Sequence, residues 1–226
     1  KTMRNLRFIL PAIAMMALVS SCSHNDEPTP KPDEPTGKAF KGIIFAAGIT
    51  NPEGNSGSVY MQSLPDMVPG NYDNSNGIPV GFGTAPIVAK SGNIYVLPDY
   101  MGNTKAEITR YRIYSDNKWH KKGALQIPPK AAACCVTELN SEKAYVSLQG
   151  LGSIIVFNPT TMTRIAEIDL NGLKQADTNV APASMVIRDG KLFVGLNQMN
   201  AQYMPARNNI ELAVIDTKTD KVEKHI

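Results

Sequence analysis

Rings, thioethers and a guanidinium crowd one stretch of this chain: Gln198, Met199, Tyr203, Met204 and Arg207 all fall within Asn197–Asn209. Aromatic and methionine side chains cover flat ligands, and arginine opposes negative charge with paired N–H donors. Tyr100, Met101, Lys130, Gln149 and Lys174 repeat this chemistry elsewhere. Together these residues suit capture of an anionic, ring-rich small molecule. They do not suit catalysis, which needs converging carboxylates, a base or a metal. His24, His120 and His225 lie far apart in sequence, and the acids near the candidates are Asp99, Glu107 and Asp177. No CxxC, HxH or HExxH spacing occurs, so neither a protein-bound metal nor another cofactor is expected. Cys134 and Cys135 are adjacent, and either a strained vicinal disulfide or two unpaired strand thiols would fit. Trp119, next to His120 on an outer strand, is expected to pack between neighbouring structural units.

The N-terminus explains where such a binder would work. Arg4 and Arg7 precede an apolar run from Phe8 to Val19, and Ser20 and Ser21 follow it. A basic start, a short oily middle and small residues read as an export signal over residues 1–21. The run is shorter than the roughly 20 apolar residues needed to cross a bilayer, and Pro11 interrupts it. Val19-Ser20-Ser21-Cys22 resembles the lipobox of bacterial lipoproteins. That resemblance implies cleavage before Cys22 and its acylation, since more than one acyl chain is needed for a stable anchor. Ser23 after the cysteine implies the outer membrane. Ser23–Glu27 is similar to the acidic tracts that bring lipoproteins to the cell exterior. Pro28, Pro30, Pro32 and Pro35 make residues 22–38 an extended tether, long enough at about 3.1 Å per residue to hold a domain about 50 Å from the membrane. The formal charge of +3 comes from Lys1, Arg4 and Arg7, and residues 1–21 carry no acid. Beyond Cys22 the charges balance, and no basic stripe supports nucleic-acid binding.

Past Lys38 helical periodicity nearly vanishes. Short β-rich runs recur between clusters of Gly, Asn, Asp and Pro. Aligned on Phe45, Tyr95, Tyr145 and Phe193, they repeat at intervals of 50, 50 and 48 residues. Each aromatic run is followed by a second strand, as in Ile154-Ile155-Val156-Phe157, and then by a more mixed one. Such a period, with three or four strands per unit, is the mark of a β-propeller. Ile154–Phe157 is apolar without alternation, so both of its faces should be buried between stacked blades. The blade units run over about 42–84, 85–130, 131–175 and 181–226, within an all-β domain of 39–226. The first unit lacks the innermost strand that opens the other three, and six to eight blades are commoner than four. Lys1-Thr2 ahead of Met3 points the same way, towards a fragment of a larger propeller.

Lys143–Val146 followed by Ile154–Asn158, and the hairpin Ile215–Val222, are similar to YVTN-type propeller repeats. Asp189–Met199 resembles a family of propeller lipoproteins of Gram-negative gut anaerobes, long classed as a domain of unknown function. Some of its members are linked to capture of ferric siderophores beside an outer-membrane receptor. The resemblance spans residues 40–226 and implies a lipid-anchored protein of the outer membrane, facing the exterior. It would bind a small ligand and pass it to a TonB-dependent transporter. Iron would arrive already coordinated by the siderophore, so the protein would need no metal ligand of its own. The competing readings are a propeller enzyme of lactonase or lyase type and an adhesion or scaffold propeller using its rim.

In a propeller, loops leaving the second strand and loops entering the next blade ring one mouth of the central channel. From Tyr145 to Phe157 is 12 residues, but from Phe193 to Ile215 is 22. The surplus is the Met/Tyr/Arg stretch itself, and long loops in compact domains often carry function. Tyr100 and Met101 occupy the matching loop of the second unit, and Gln149 that of the third. Lys130 and Lys174 belong to entering loops. These ten residues are the candidate ligand contacts.

Overall fold

A computed structural model describes residues 43–50, 57–64, 78–80, 86–98, 105–114, 118–202, 204 and 211–226, the first three segments as backbone alone. The export signal, Cys22, the tether, Tyr100, Met101, Tyr203 and Arg207 lie outside the described residues.

The described chain is all-β, with sheets formed in strict sequence order. β1 (Ile43–Thr50), β2 (Gly57–Leu64) and β3 (Ile78–Val80) make a three-stranded sheet. Three four-stranded antiparallel sheets follow. The second sheet holds β4 (Pro86–Val88), β5 (Ile94–Val96), β6 (Glu107–Ile113) and β7 (Trp119–Gln126). The third holds β8 (Ala133–Glu138), β9 (Ala144–Leu148), β10 (Ser153–Asn158) and β11 (Thr163–Asp169). The fourth holds β12 (Pro182–Arg188), β13 (Lys191–Leu196), β14 (Glu211–Asp216) and β15 (Lys221–His225). Four-stranded sheets of this order are the units from which propellers are built.

β10 separates two cores. Because side chains alternate along a strand, Ile155 and Phe157 join Tyr95, Ile108 and Leu125 of the second sheet. Ile154 and Val156 join Leu192, Val194 and Ile215 of the fourth. All four β10 side chains are completely buried, and each such burial contributes about 1.5–3 kcal/mol. The unbroken apolar run therefore has the two-sided environment its composition requires. The last strands meet solvent instead: β15 is exposed throughout and β11 mostly so.

Tyr95, Tyr145 and Phe193 occupy the same place, each in the second strand of its sheet. Their neighbours across the ladders are Ile87 and Arg110, Thr137 and Val156, and Val186 and Val214 respectively. The turns repeat as well. Asn158 Oδ1 accepts from the backbone N–H of Thr160 and Thr161, and Asp216 Oδ1 from those of Lys218 and Thr219. Met162 and Asp220 then close the two turns, both at φ 57°, so side-chain caps set the hairpins between third and fourth strands.

Neighbouring sheets approach closely through their first strands, β8 and β12. Buried Ser147 ties this junction, donating to Ala183 O (2.8 Å) and accepting from Cys135 N (3.0 Å). Cys134 and Cys135 are both free thiols, at a register irregularity of β8. Trp119 packs edge-on to Tyr111 of the adjacent strand of its own sheet, with ring centroids 5.3 Å apart.

Candidate functional site

The backbone builds one mouth of the sheet stack by the same device twice. In the third sheet, Gln149 N donates to Ala132 O (3.0 Å) and Gly150 N to Ala131 O (2.9 Å). In the fourth, Asn197 N donates to Ala181 O (3.1 Å) and Gln198 N to Val180 O (3.2 Å). Each pair joins the loop leaving a second strand to the loop entering that sheet. Ala132 and Ala181 adopt φ values of 47° and 46° to allow it. A left-handed alanine costs about 1–2 kcal/mol, so the flanking bonds hold a strained backbone at this end. Gly150 permits the approach, since a Cβ there would lie 2.5 Å from Lys130 O.

The fourth sheet extends the device by one step. Asn179 and Met199 exchange backbone hydrogen bonds of 2.7 and 2.8 Å, forming an isolated bridge. Between this bridge and the turn after β9 opens a cleft of about 300 Å³. Gln149 and Gly150 line one side of it; Asp177, Thr178, Asn179 and Ala181 come from the entering loop. Met199, Asn200 and Ala201 come from the long loop.

Gln149 and Met199, candidates from two different units, thus meet at one cleft. Gln198 has another duty. Its side chain is 1% exposed and makes four hydrogen bonds. Nε2 donates to Leu173 O (3.0 Å) and Glu211 Oε2 (2.7 Å). Oε1 accepts from Gln175 N (3.1 Å) and Thr178 Oγ1 (2.8 Å). The residue clamps the entering loop and has no lone pair or proton left for a ligand. Met204 O accepts from Asn200 N (2.9 Å) and Met204 N donates to Asn200 Oδ1 (3.1 Å), closing the start of the long loop as a tight turn, and the Met204 side chain is exposed. Met204, Lys130 and Lys174 are not among the residues lining the cleft.

The charges of the site differ from those the sequence suggested. Asp177 is the one ionisable side chain among the described residues lining the cleft. Behind the wall, Glu211 is buried and faces His225 Nε2 at 3.0 Å. Burial alone would raise its carboxyl, but hydrogen bonds from Gln198 and His225 outweigh that and hold it below the ordinary carboxylate range. His225, on an outer strand, has its acid partner across the β14–β15 ladder. Among the described residues no group of three or more His, Cys, Asp or Glu could hold a metal.

No family model matches the chain, and no curated protein sequence matches it. Solved structures do. Hydrazine synthase of Kuenenia stuttgartiensis aligns with a TM-score of 0.50 and 13% identity, covering 80% of this chain and 45% of that one. A protein from Lactobacillus plantarum aligns at 0.51 and 11%, covering 83% and 53%. Virginiamycin B lyase from Staphylococcus aureus aligns at 0.45 and 11%, covering 81% and 54%. At such identity the likeness concerns the fold alone. This chain spans about half the length of those proteins.

Three polar residues of the cleft, Thr178, Asn179 and Asn200, were not candidates on sequence grounds. Polar residues before Val180-Ala181-Pro182 and after Met199 look like ordinary turn formers. The usable signal was positional: Thr178 and Asn179 share the entering loop that gave Lys174, and Asn200 follows Met199 in the long loop.

Proposed function

We propose that this chain is the ligand-binding part of a propeller lipoprotein, about four blades of a larger ring, and that its small ligand sits at the mouth between the third and fourth sheets. One observation carries this reading: Gln149 and Met199, 50 residues apart, line a single cleft. The left-handed alanines beneath it support the same view, because strain at a loop end is commonly kept for a site. In this reading Cys22 anchors the protein to the outer membrane, facing the exterior, and the tether lets the domain deliver its ligand to a TonB-dependent transporter. The ligand expected from the family resemblance is a ferric siderophore, with Tyr203 and Arg207 of the long loop as its further contacts.

Titration calorimetry on the full chain tests this. Ferric catecholate siderophores, haem and oligosaccharides are each titrated into the native protein and into Met199→Ala, Tyr203→Ala and Arg207→Ala. A ligand whose affinity falls in Met199→Ala supports the mouth as the site. Affinity unchanged in all three variants removes the long loop from it. Turnover of a titrated compound replaces the carrier reading with an enzymatic one.

A further inference from the structure

The chemistry of the cleft wall narrows the kind of group that can enter it, given that the mouth is the ligand site. We infer that the cleft takes a neutral, hydroxyl-rich ring: a single pyranose, either free or at the end of a chain.

Size is the first argument. About 300 Å³ is at the small end of ligand clefts, so the part of a ligand held within the cleft is about one ring.

The hydrogen-bonding pattern is the second. Asp177 lines the cleft as an exposed carboxylate, an acceptor only. Asn179 has its Oδ1 engaged by Ala181 N (3.1 Å). Asn200 has its Oδ1 engaged by Gln202 N (2.9 Å) and Met204 N (3.1 Å). Among the described residues neither Nδ2 has a partner, so both amides keep their NH₂ ends as donors. An anion would satisfy these donors but face Asp177. An amine would satisfy Asp177 but bring more donors to the amides. A hydroxyl both donates and accepts, and adjacent hydroxyls on one ring serve both demands together.

The apolar part of the lining, Met199, Ala181 and Ala201, suits the same ring. A sugar ring carries a C–H face as well as its hydroxyls, and a flexible thioether adapts to such a face.

Calorimetry or ligand-observed NMR on the full chain decides the matter. The probes are methyl glucoside, mannoside and galactoside, short oligosaccharides of each, a methyl glucuronide as the anionic control and a ferric catecholate. At least one neutral glycoside is expected to bind, with the glucuronide about tenfold weaker. Asp177 sits at φ 61°, which asparagine tolerates well, so Asp177→Asn keeps the loop. That variant is expected to weaken the neutral glycoside about tenfold and to close most of the gap to the glucuronide. Methyl glycosides and oligosaccharides separate a free ring from a chain end, and binding of either supports the inference. It is overturned if no glycoside binds, if the glucuronide binds as tightly as the neutral sugars, or if Asp177→Asn changes nothing. A ferric catecholate that binds alone, and weakens in Met199→Ala, would sink the sugar while leaving the mouth as the ligand site. Silence from every probe would sink both.

Discussion

The Tyr145 hydroxyl donates to Asp220 Oδ1 across 2.9 Å and so joins the third sheet to the last hairpin of the fourth. Lys143 reinforces the joint from the same strand end, reaching Asp220 Oδ2 at 2.7 Å and Thr217 O at 2.9 Å. One sheet earlier, Tyr95 donates to Glu138 Oε1 at 2.5 Å, where Asn93 Nδ2 also donates at 2.7 Å. Burial first, then the acid partner, pushes both phenols above their ordinary range. A buried ring with a hydroxyl aimed at the next sheet fixes both the spacing and the rotation of neighbouring sheets, which packing of methyl groups alone does loosely.

Removing that hydroxyl gives the first prediction. Tyr145→Phe should lower stability by about 1–2 kcal/mol in urea denaturation. Asp220 keeps Lys143, so no charge is orphaned. Tyr95→Phe should cost at least as much, because Glu138 has no lysine to fall back on among its described partners. Stability equal to the native protein in both variants would make the acid–tyrosine joints irrelevant to sheet stacking.

Gly152 and Gly190 separate backbone strain from crowding. Both have positive φ, 68° and 75°. A Cβ at Gly152 would meet Asn171 Oδ1 at 2.5 Å and Val180 Cγ1 at 2.9 Å, whereas none lies within 4 Å at Gly190. Gly190→Ala should cost about 1–2 kcal/mol from strain, and Gly152→Ala about 1–3 kcal/mol more from crowding. Thermal unfolding of the two variants measures the difference, and equal losses would count against it.

Acid should loosen the clamp behind the cleft. Glu211 has its folded pKa depressed, so its contribution is complete above the ordinary carboxylate value of about 4.3. It is lost as pH falls below that value through the depressed one. Glu211→Gln should therefore be less stable than the native protein at neutral pH, with the gap closing towards pH 3. Melting temperatures across pH 3–7 follow it. A gap independent of pH would assign the effect to packing rather than to charge.

Gln198 and Met199 are neighbours with different duties, and variants should divide accordingly. Gln198→Ala leaves Leu173 O without its donor and Glu211 with His225 but without the amide, and should cost about 1–3 kcal/mol while weakening any ligand through the entering loop. Met199→Ala should weaken the glycoside or ferric catecholate that binds, with little change in melting temperature. Paired calorimetry and thermal unfolding distinguish the two. Identical profiles would show that the loop acts as one unit.

Several features of the fold were legible in the residues alone. The unbroken apolar run Ile154–Phe157 pointed to a strand buried on both sides, and the spacing of Tyr95, Tyr145 and Phe193 placed them as equivalents. The loop lengths brought Gln149 and Met199 to one mouth. Gln198 was misleading because a glutamine beside a methionine in a long loop looks like a ligand group. Its partners at Leu173, Gln175, Thr178 and Glu211 come from two other segments, and no local pattern announces them.

Apolar periodicity and turn chemistry are local properties, felt by each residue and its near neighbours, so the sequence by itself determined the strands, their repeat and the two-sided core. The sign of the cleft depended on which loops lie side by side once the sheets have stacked. That stacking brought Asp177, Asn179 and Asn200 to the lining, took Gln198 behind the wall and left Lys130 and Lys174 outside it. Only the tertiary structure could decide this, because side-chain hydrogen bonds are chosen by contacts that close across the chain after the backbone has already found its place.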